Sequence, residues 1–247
     1  MSSNLSVIHS KVPRHIAIIM DGNRRWAKQH NKKVISGHKA GVKAIRTIVE
    51  AISQYDTVKT LTLFAFSSEN WQRPESEVKE LMQLFLRYLE REVEVFHRHQ
   101  LSVRFIGERS RFDAKLIERM QYVEKETAVY QAKTLVIAAD YGGLWDITHA
   151  AKNLACDVQQ GKVMLETVDE SLFDKYLSLS DLSSPDLCIR TGGECRISNF
   201  LLWQMAYTEL YFSDVYWPDF GKNELLKALV CYQERQRRFG GDNEFIS

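Results

Sequence analysis

The chain has 247 residues, with 33 Lys and Arg against 32 Asp and Glu for a formal charge of +1, and is 45% apolar and 26% charged. This is ordinary globular composition. It removes any global electrostatic argument for nucleic acid or another polyanion, so binding charge has to be local.

Residues 1–14 read as a flexible polar leader, 15–241 as one domain and 242–247 as a tail. The first element is a β-branched run, His15–Asp21, predicted as a strand, and the 3.6-residue apolar period over Lys39–Gln54 predicts a helix. A strand over Thr60–Ser67 is followed by a helix over Glu75–His99, with Pro74 suited to a helix start. Strands over Ser102–Gly107 and Thr134–Tyr141 alternate with helices over Asp113–Tyr130, Trp145–Gln159 and Asp169–Leu177. The last strand is Leu187–Thr191, and shorter apolar pieces around Leu201–Leu210 and Asn223–Phe239 are grouped with the helices. Strands alternating with helices predict an α/β domain, a mostly parallel sheet covered on both faces. With 4 prolines, 12 glycines and no internal repeat, one domain is the economical division.

The four cysteines, Cys156, Cys188, Cys195 and Cys231, form no C-x-x-C pair and no zinc spacing, and read as reduced cytosolic thiols. No apolar run approaches the roughly 20 residues of a membrane-spanning helix, so neither anchor nor signal peptide is expected.

In open parallel sheets ligands sit off the carboxyl ends of the strands, and polar residues gather at three of them. After the first strand come Asp21, Gly22, Asn23, Arg24, Arg25 and Trp26. Gly22 permits a tight turn, backbone N–H groups at a helix start face an anion, and guanidinium groups grip phosphate oxygens; a carboxylate beside them suggests magnesium. The same residues also read as an Asp N-cap followed by solvated arginines. After the second strand stand Ser67, Ser68, Glu69, Asn70, Trp71 and Arg73, where the serines suit capping but the Asn70, Trp71 and Arg73 cluster suits a ligand. The third end, Arg190-Thr191-Gly192-Gly193, followed by Arg196, Ile197 and Ser198, resembles a second diphosphate cradle. Glu209 lies in an apolar segment, where it reads equally as an arginine's partner or as a metal ligand. Leu81, Leu84, Phe85, Tyr88, Leu89, Val93 and Phe96 follow helix spacing, and Met82 and Leu86 widen that stripe enough to wall a hydrophobic tunnel as well as a core.

Together, His15-x5-Asp21-Gly22-Asn23-x-Arg25-Trp26-Ala27, Gly37-His38-x2-Gly41, Ser67-Ser68-Glu69-Asn70-Trp71-x-Arg73-Pro74 and Arg190-Thr191-Gly192-Gly193-x2-Arg196-Ile197-Ser198-Asn199-Phe200 resemble the cis-prenyltransferase family, over about His15 to Gly241. The resemblance implies a single α/β domain with a mostly parallel six-stranded central sheet, helices on both faces and a hydrophobic tunnel. It implies a Mg2+-dependent homodimer that adds isopentenyl diphosphate to farnesyl diphosphate with new cis double bonds. The product is a long undecaprenyl-type diphosphate, the precursor of the lipid carrier for bacterial cell-wall polysaccharide. By similarity Asp21 holds magnesium and assists departure of the allylic diphosphate. Gly22, Asn23, Arg24, Arg25, Trp26, His38 and Arg73 bind that substrate, while Ser67, Ser68, Glu69 and Trp71 line the reacting region. Arg190, Arg196, Ile197 and Ser198 bind isopentenyl diphosphate, Glu209 completes the metal site, from the same or a partner subunit, and Asn70 is the candidate for proton removal. The expected location is cytoplasmic, with a transient visit to the inner face of the membrane to release product.

The chain departs from the family pattern at Arg24, at Val34, where an arginine is usual and Lys32 or Lys33 would have to substitute, and at Cys195, Asp140 and Leu144. Rival readings fare worse. An aspartyl phosphatase needs a second acid where Asn23 stands, a trans-type prenyl synthase needs adjacent aspartates, and a dinucleotide enzyme needs a glycine fingerprint that is missing. A non-catalytic partner of the same fold would lose the acid or the arginines that this chain keeps. The basic stretch Arg235, Arg237 and Arg238 suits a helix end better than nucleic acid.

Overall fold

The computed structural model describes residues 12–235. The expected tail, residues 1–11 of the expected leader, and Arg237 and Arg238 lie outside the described residues.

Six strands, β1 (His15–Ile19), β2 (Thr60–Ser67), β3 (Leu101–Ile106), β4 (Lys133–Tyr141), β5 (Leu187–Arg190) and β6 (Glu209–Phe212), form one sheet in the order β3-β4-β2-β1-β5-β6. Every pairing is parallel. Parallel strands need crossovers. These are supplied by α1 (Asn23–Gln29), α2 (Val34–Ile52), α3 (Glu75–Arg91), α4 (Val93–Arg98), α5 (Ala114–Thr127), α6 (Gly143–Gln159) and α7 (Glu170–Asp174), while α8 (Lys222–Glu234) follows β6. From β1 the chain winds first toward β2 and later, after β4, to β5 on the other side. The carboxyl end of β1 is therefore the switch point where a crevice opens.

β1 is buried on both faces, and its alternation splits the core. Ile16 and Ile18 face one cluster with Ile48, Leu63, Leu89 and Ile137, whereas Ala17 and Ile19 face another with Val136, Ala138, Phe200 and Leu201.

Three local expectations change. The helix predicted over Glu75–His99 breaks at Glu92 into α3 and α4, and α2 begins five residues before Lys39, at Val34. The apolar piece around Leu201–Leu210 is not helical. Ser198, Asn199 and Leu201 take left-handed φ values of 48°, 61° and 43°, which no right-handed helix permits, and the apolar spacing there comes from Phe200, Leu201 and Met205 being driven into the core. The chain then enters β6, a strand that periodicity did not single out.

His15, at the foot of β1, is fully buried. Its Nδ1 is 2.6 Å from the Ser183 carbonyl, which only accepts, so the proton sits on Nδ1 and Nε2 accepts from the Thr62 hydroxyl at 2.7 Å. Burial, opposed by that carbonyl bond and by the Asp186 charge, lowers its pKa to about 4. Because the unfolded chain takes the proton near pH 6.5, stability is complete above that value and declines as pH falls toward 4, by about 3 kcal/mol for this group. Urea midpoints at pH 7 and pH 5 should converge more closely in His15→Gln than in the wild type; an equal gap would remove His15 from the account.

Candidate active site

Asp21 stands two residues beyond Ile19, the last buried position of β1, and Gly22 turns the chain into α1 at φ 107°, a left-handed value suited to glycine. The Asp21 N–H donates to the Thr191 hydroxyl at 2.9 Å, and its Oδ1 accepts from the Gly22 N–H at 2.6 Å. Its Oδ2 receives Arg190 Nη2 at 2.9 Å and lies 3.1 Å from Arg25 Nη2. Burial alone would raise the Asp21 pKa, but the Arg190 bond and the Arg25 charge outweigh it and hold the carboxyl below its usual range. Asp21 is therefore an ionised carboxylate braced between two cations.

Arg190, 4% exposed, ends β5. Its Nη1 donates to Ser198 Oγ at 2.7 Å and to the Arg196 carbonyl. Gly192 and Gly193 adopt φ 87° and 81°, and the Gly192 carbonyl accepts from Arg25 Nη1 at 2.7 Å. The first and third strand ends thus interlock through Asp21, Arg25 and Arg190.

At the second strand end, the β2–β4 register slips between Phe64 and Phe66 and again before Ser67, leaving Ala65 and Asp140 outside the ladder. Such irregularities re-aim side chains at strand ends. Ala65 lines the cavities described below, and Asp140, with its side chain fully buried, takes both a 2.8 Å bond and a second bond from Arg111. In the turn Ser68–Gln72, Asn70 Oδ1 accepts from the Ser67 N–H at 3.2 Å and Glu69 Oε1 accepts from Asn199 Nδ2 at 2.8 Å.

α1 and α2 meet through glycine. A Cβ on Gly37 would collide with the Asn23 carbonyl and one on Gly41 with Asn23 Oδ1, which gives the Gly-His-x-x-Gly spacing its physical reason. This approach seats His38 beside Asn23. Burial, then the charges of Arg73 and Arg24, lower the His38 pKa to about 4, so the ring is neutral.

Two cavities open off these strand ends. A polar cleft of about 1170 Å³ is lined by Asp21, Asn23, His38, Ser67, Glu69, Asn70, Arg73, Arg190, Ser198 and Asn199, with Phe64 and Ala65. An apolar cavity of about 720 Å³ lies among Val42, Ile45, Leu63, Leu81, Met82, Leu84, Phe85, Tyr88, Ile137 and Trp217. Met20, Asn23, His38, Ala65, Phe66 and Leu81 line both. Within the cleft wall, Asn23 Oδ1, His38 Nε2 and Arg190 Nε are buried without a hydrogen-bond partner. Buried polar atoms are ordinarily paired, so three orphans around one cleft mark a polar ligand site.

Of the residues expected to bind or react, nine line this cleft and two more, Gly22 and Arg25, adjoin it through Asp21. Others stand elsewhere. Arg24 is a surface cation 3.8 Å from Glu77, which also meets Arg73 at 3.5 Å. Trp26 stacks on His30 and donates to Asp219 at 2.9 Å, with Lys32 over its ring, outside both cavities. Trp71 packs edge-on to Phe66 at 5.3 Å beneath the Arg111 guanidinium, so it buttresses the cleft wall and does not line it. Ser68 lies against Gly142, and Arg196 is an exposed rim residue paired with Glu194 at 2.6 Å; neither it nor Ile197 lines the cleft. Lys33 borders a separate pocket shared with His38 and Glu77.

Glu209 stands apart from Asp21 within the chain. The register aligns it with Leu187 and thence Ile16, five residues short of Asp21 or about 16 Å along the strands, and it pairs with Arg235 at 2.8 Å. Within one chain Glu209 thus meets an arginine and does not join Asp21, so a metal shared by the two would need the Glu209 of a second copy. Among the described residues no three His, Cys, Asp or Glu side chains gather as a metal cage. Asp21 alone beside phosphate-gripping arginines still fits magnesium, which uses one or two carboxylates with phosphate oxygens and water. Sequence reasoning missed Asn199 and Thr191, although both lie inside the motifs it quoted.

A parallel α/β protein with a cation-lined polar cleft at its switch point and an apolar cavity behind it has the layout of enzymes acting on phosphorylated lipids or their precursors. Residues 19–240 match the prenyltransferase family model described as putative undecaprenyl diphosphate synthase, and the chain belongs to this family. A Pseudomonas putida relative named ditrans,polycis-undecaprenyl-diphosphate synthase ((2E,6E)-farnesyl-diphosphate specific) is 53% identical, covering 96% of this chain and 94% of its own. A Vibrio cholerae relative of the same name is 47% identical over 98% and 97%. Among solved structures, lavandulyl diphosphate synthase from Lavandula x intermedia, in complex with dimethylallyl diphosphate, aligns with TM-score 0.89 and 38% identity over 93% of this chain and 98% of its own. A probable undecaprenyl diphosphate synthase from Campylobacter jejuni aligns with TM-score 0.76 and 33% identity over 94% and 100%.

Proposed function

We propose that this protein condenses farnesyl diphosphate with successive isopentenyl diphosphate units, forming cis double bonds, to make undecaprenyl diphosphate for the lipid carrier of bacterial cell-wall polysaccharide. The observation that carries the reading is the polar cleft with three orphaned buried atoms opening onto an apolar cavity through a shared wall. Charged heads and greasy tails need such a pair of compartments.

In this reading Asn23, His38 and Arg73 hold the allylic diphosphate, the Gly22 turn presents backbone to it, and Arg190 with Ser198 holds isopentenyl diphosphate. Arg25 braces Asp21, and Arg24 and Arg196 contribute charge from the rim. Asp21 would hold Mg2+, which when bound neutralises charge developing on the departing diphosphate. The allylic carbon–oxygen bond breaks with its electron pair leaving on diphosphate, and the double bond of the second substrate supplies the pair for the new carbon–carbon bond. A proton is then lost from that substrate to an oxygen of the departed diphosphate, the anion the reaction itself supplies. With its Oδ1 engaged by Ser67, Asn70 has an amide nitrogen to offer, a donor only, so it positions a diphosphate oxygen and does not act as the base. His38, held neutral, can also donate without carrying charge into the pocket. The hydrocarbon enters the apolar cavity as a product tunnel, where each buried methylene contributes about 0.8 kcal/mol.

The outer edge of β6, which pairs with no further strand among the described residues and has Tyr207 70% exposed before it, suits a second copy, and we read the enzyme as a homodimer. Among the described residues no helix is long and apolar enough to cross a membrane. Release of so apolar a product calls for transient contact of a cytoplasmic enzyme with the membrane surface.

The purified full chain, given farnesyl diphosphate, labelled isopentenyl diphosphate and Mg2+, should yield a labelled long-chain polyprenol after dephosphorylation. A chelator should abolish the yield and added Mg2+ restore it. No incorporation with any allylic primer would favour a non-catalytic partner subunit instead.

A further inference from the structure

We propose that Asn199 is a positioning residue that straps the Arg190–Ser198 grip to the Ser67–Asn70 turn across the cleft. The inference rests on the prenyl-transfer reading above and adds a residue to it.

Asn199 follows Ser198 directly and takes φ 61°, a left-handed conformation that asparagine tolerates better than most residues. Its side-chain amide and its carbonyl all bond to the two opposite strand ends. Its Nδ2 donates to Glu69 Oε1 at 2.8 Å, its Oδ1 accepts from the Leu144 N–H at 2.9 Å, and its carbonyl accepts from the Gly143 N–H at 2.6 Å. One side chain thus ties the turn after β2 and the first turn of α6, which follows β4, to the loop after β5. The junction has no slack: a Cβ on Gly142 would lie 2.6 Å from Asn199 Nδ2 and 2.7 Å from Ser68 Oγ. Burial pushes the Glu69 pKa up, but bonds from Asn199, its own backbone and the two serines together bring it below the usual range, so the strap ends on a charged acceptor.

Ser198 belongs to the grip on one substrate, while Ser67 and Asn70 face the reacting carbons from the other wall. The strap therefore fixes the gap between the two walls. Reacting atoms must meet at about 3–3.5 Å, and a misplacement of about 1 Å can cost about 10²-fold in rate.

The test is steady-state kinetics on the full-length enzyme. Asn199→Gly keeps the left-handed backbone while removing both side-chain bonds. It should lower kcat about 10²-fold while leaving the KM for isopentenyl diphosphate within about threefold, because Arg190 and Ser198 remain. Asn199→Asp keeps the Leu144 bond but sets carboxylate against carboxylate, and should lose kcat to a similar extent; it carries the test if the glycine variant does not fold. In Glu69→Ala, adding Asn199→Gly should cost nothing further, the signature of residues acting as one unit. A kcat within about twofold of wild type in both single variants, or fully multiplicative losses in the double variant, would overturn the strap. A wild-type protein that incorporates no isopentenyl diphosphate would overturn the reaction itself, a result separable from either.

Discussion

Asp21→Ala should lower kcat for isopentenyl diphosphate incorporation by about 10²–10³-fold, the usual cost of losing one group aimed at developing transition-state charge. The KM for isopentenyl diphosphate should move little, since Arg190 keeps Ser198 and the Arg196 carbonyl. The alanine variant also strips the nearly buried Arg190 of its carboxylate partner, a change that destabilises by leaving charge uncompensated. Asp21→Asn separates the two effects. It keeps the shape and the acceptor for the Gly22 N–H while losing the charge, so it should remain folded and nearly as inactive. Measured incorporation at saturating substrate, alongside urea midpoints, decides the point. Turnover close to wild type in the asparagine variant would exclude Asp21 from the departure step.

Arg190→Ala should act on the other variable. Hydrogen bonds to charged groups are worth about 1.5–3 kcal/mol, so losing this guanidinium should raise the KM for isopentenyl diphosphate about 10–10²-fold, with a smaller fall in kcat. Arg190→Lys should recover only part of that loss, because an ammonium cannot hold Ser198, the Arg196 carbonyl and Asp21 at once in the planar fork. Varying one substrate at a time gives a clear outcome. A rise confined to the KM of the allylic primer would mean that the two diphosphate seats are exchanged.

The sheet was legible because β1, β2 and β4 carry apolar runs that only a doubly covered strand can hide. β6 was not, because its four residues are half-exposed at an edge and resemble the buried loop before them. The cleft was legible where polar residues interrupt an apolar strand, as at Asp21, Ser67 and Arg190. It was less legible where a motif residue also packs against its neighbours: Trp71 and Trp26 stand beside cleft-lining residues, and their rings meet Phe66 and His30. Glu209 shows another limit, since only strand register reveals that this acid lies away from Asp21 within one chain. Asn199 gave no signal by residue type alone; its role comes from three bonds to distant segments.

α2 answers to different demands at its two ends. Near its start Gly37 and Gly41 leave no room for even a methyl group against Asn23, whereas Val42, the next residue, and Ile45 merely wall a cavity. Enlarging or shrinking those two aliphatics changes the volume of the apolar cavity while leaving the Gly37 and Gly41 contacts with Asn23 in place. If the growing chain occupies that cavity as proposed, selection and engineering could alter the length of what is made while the chemistry that makes it stays put.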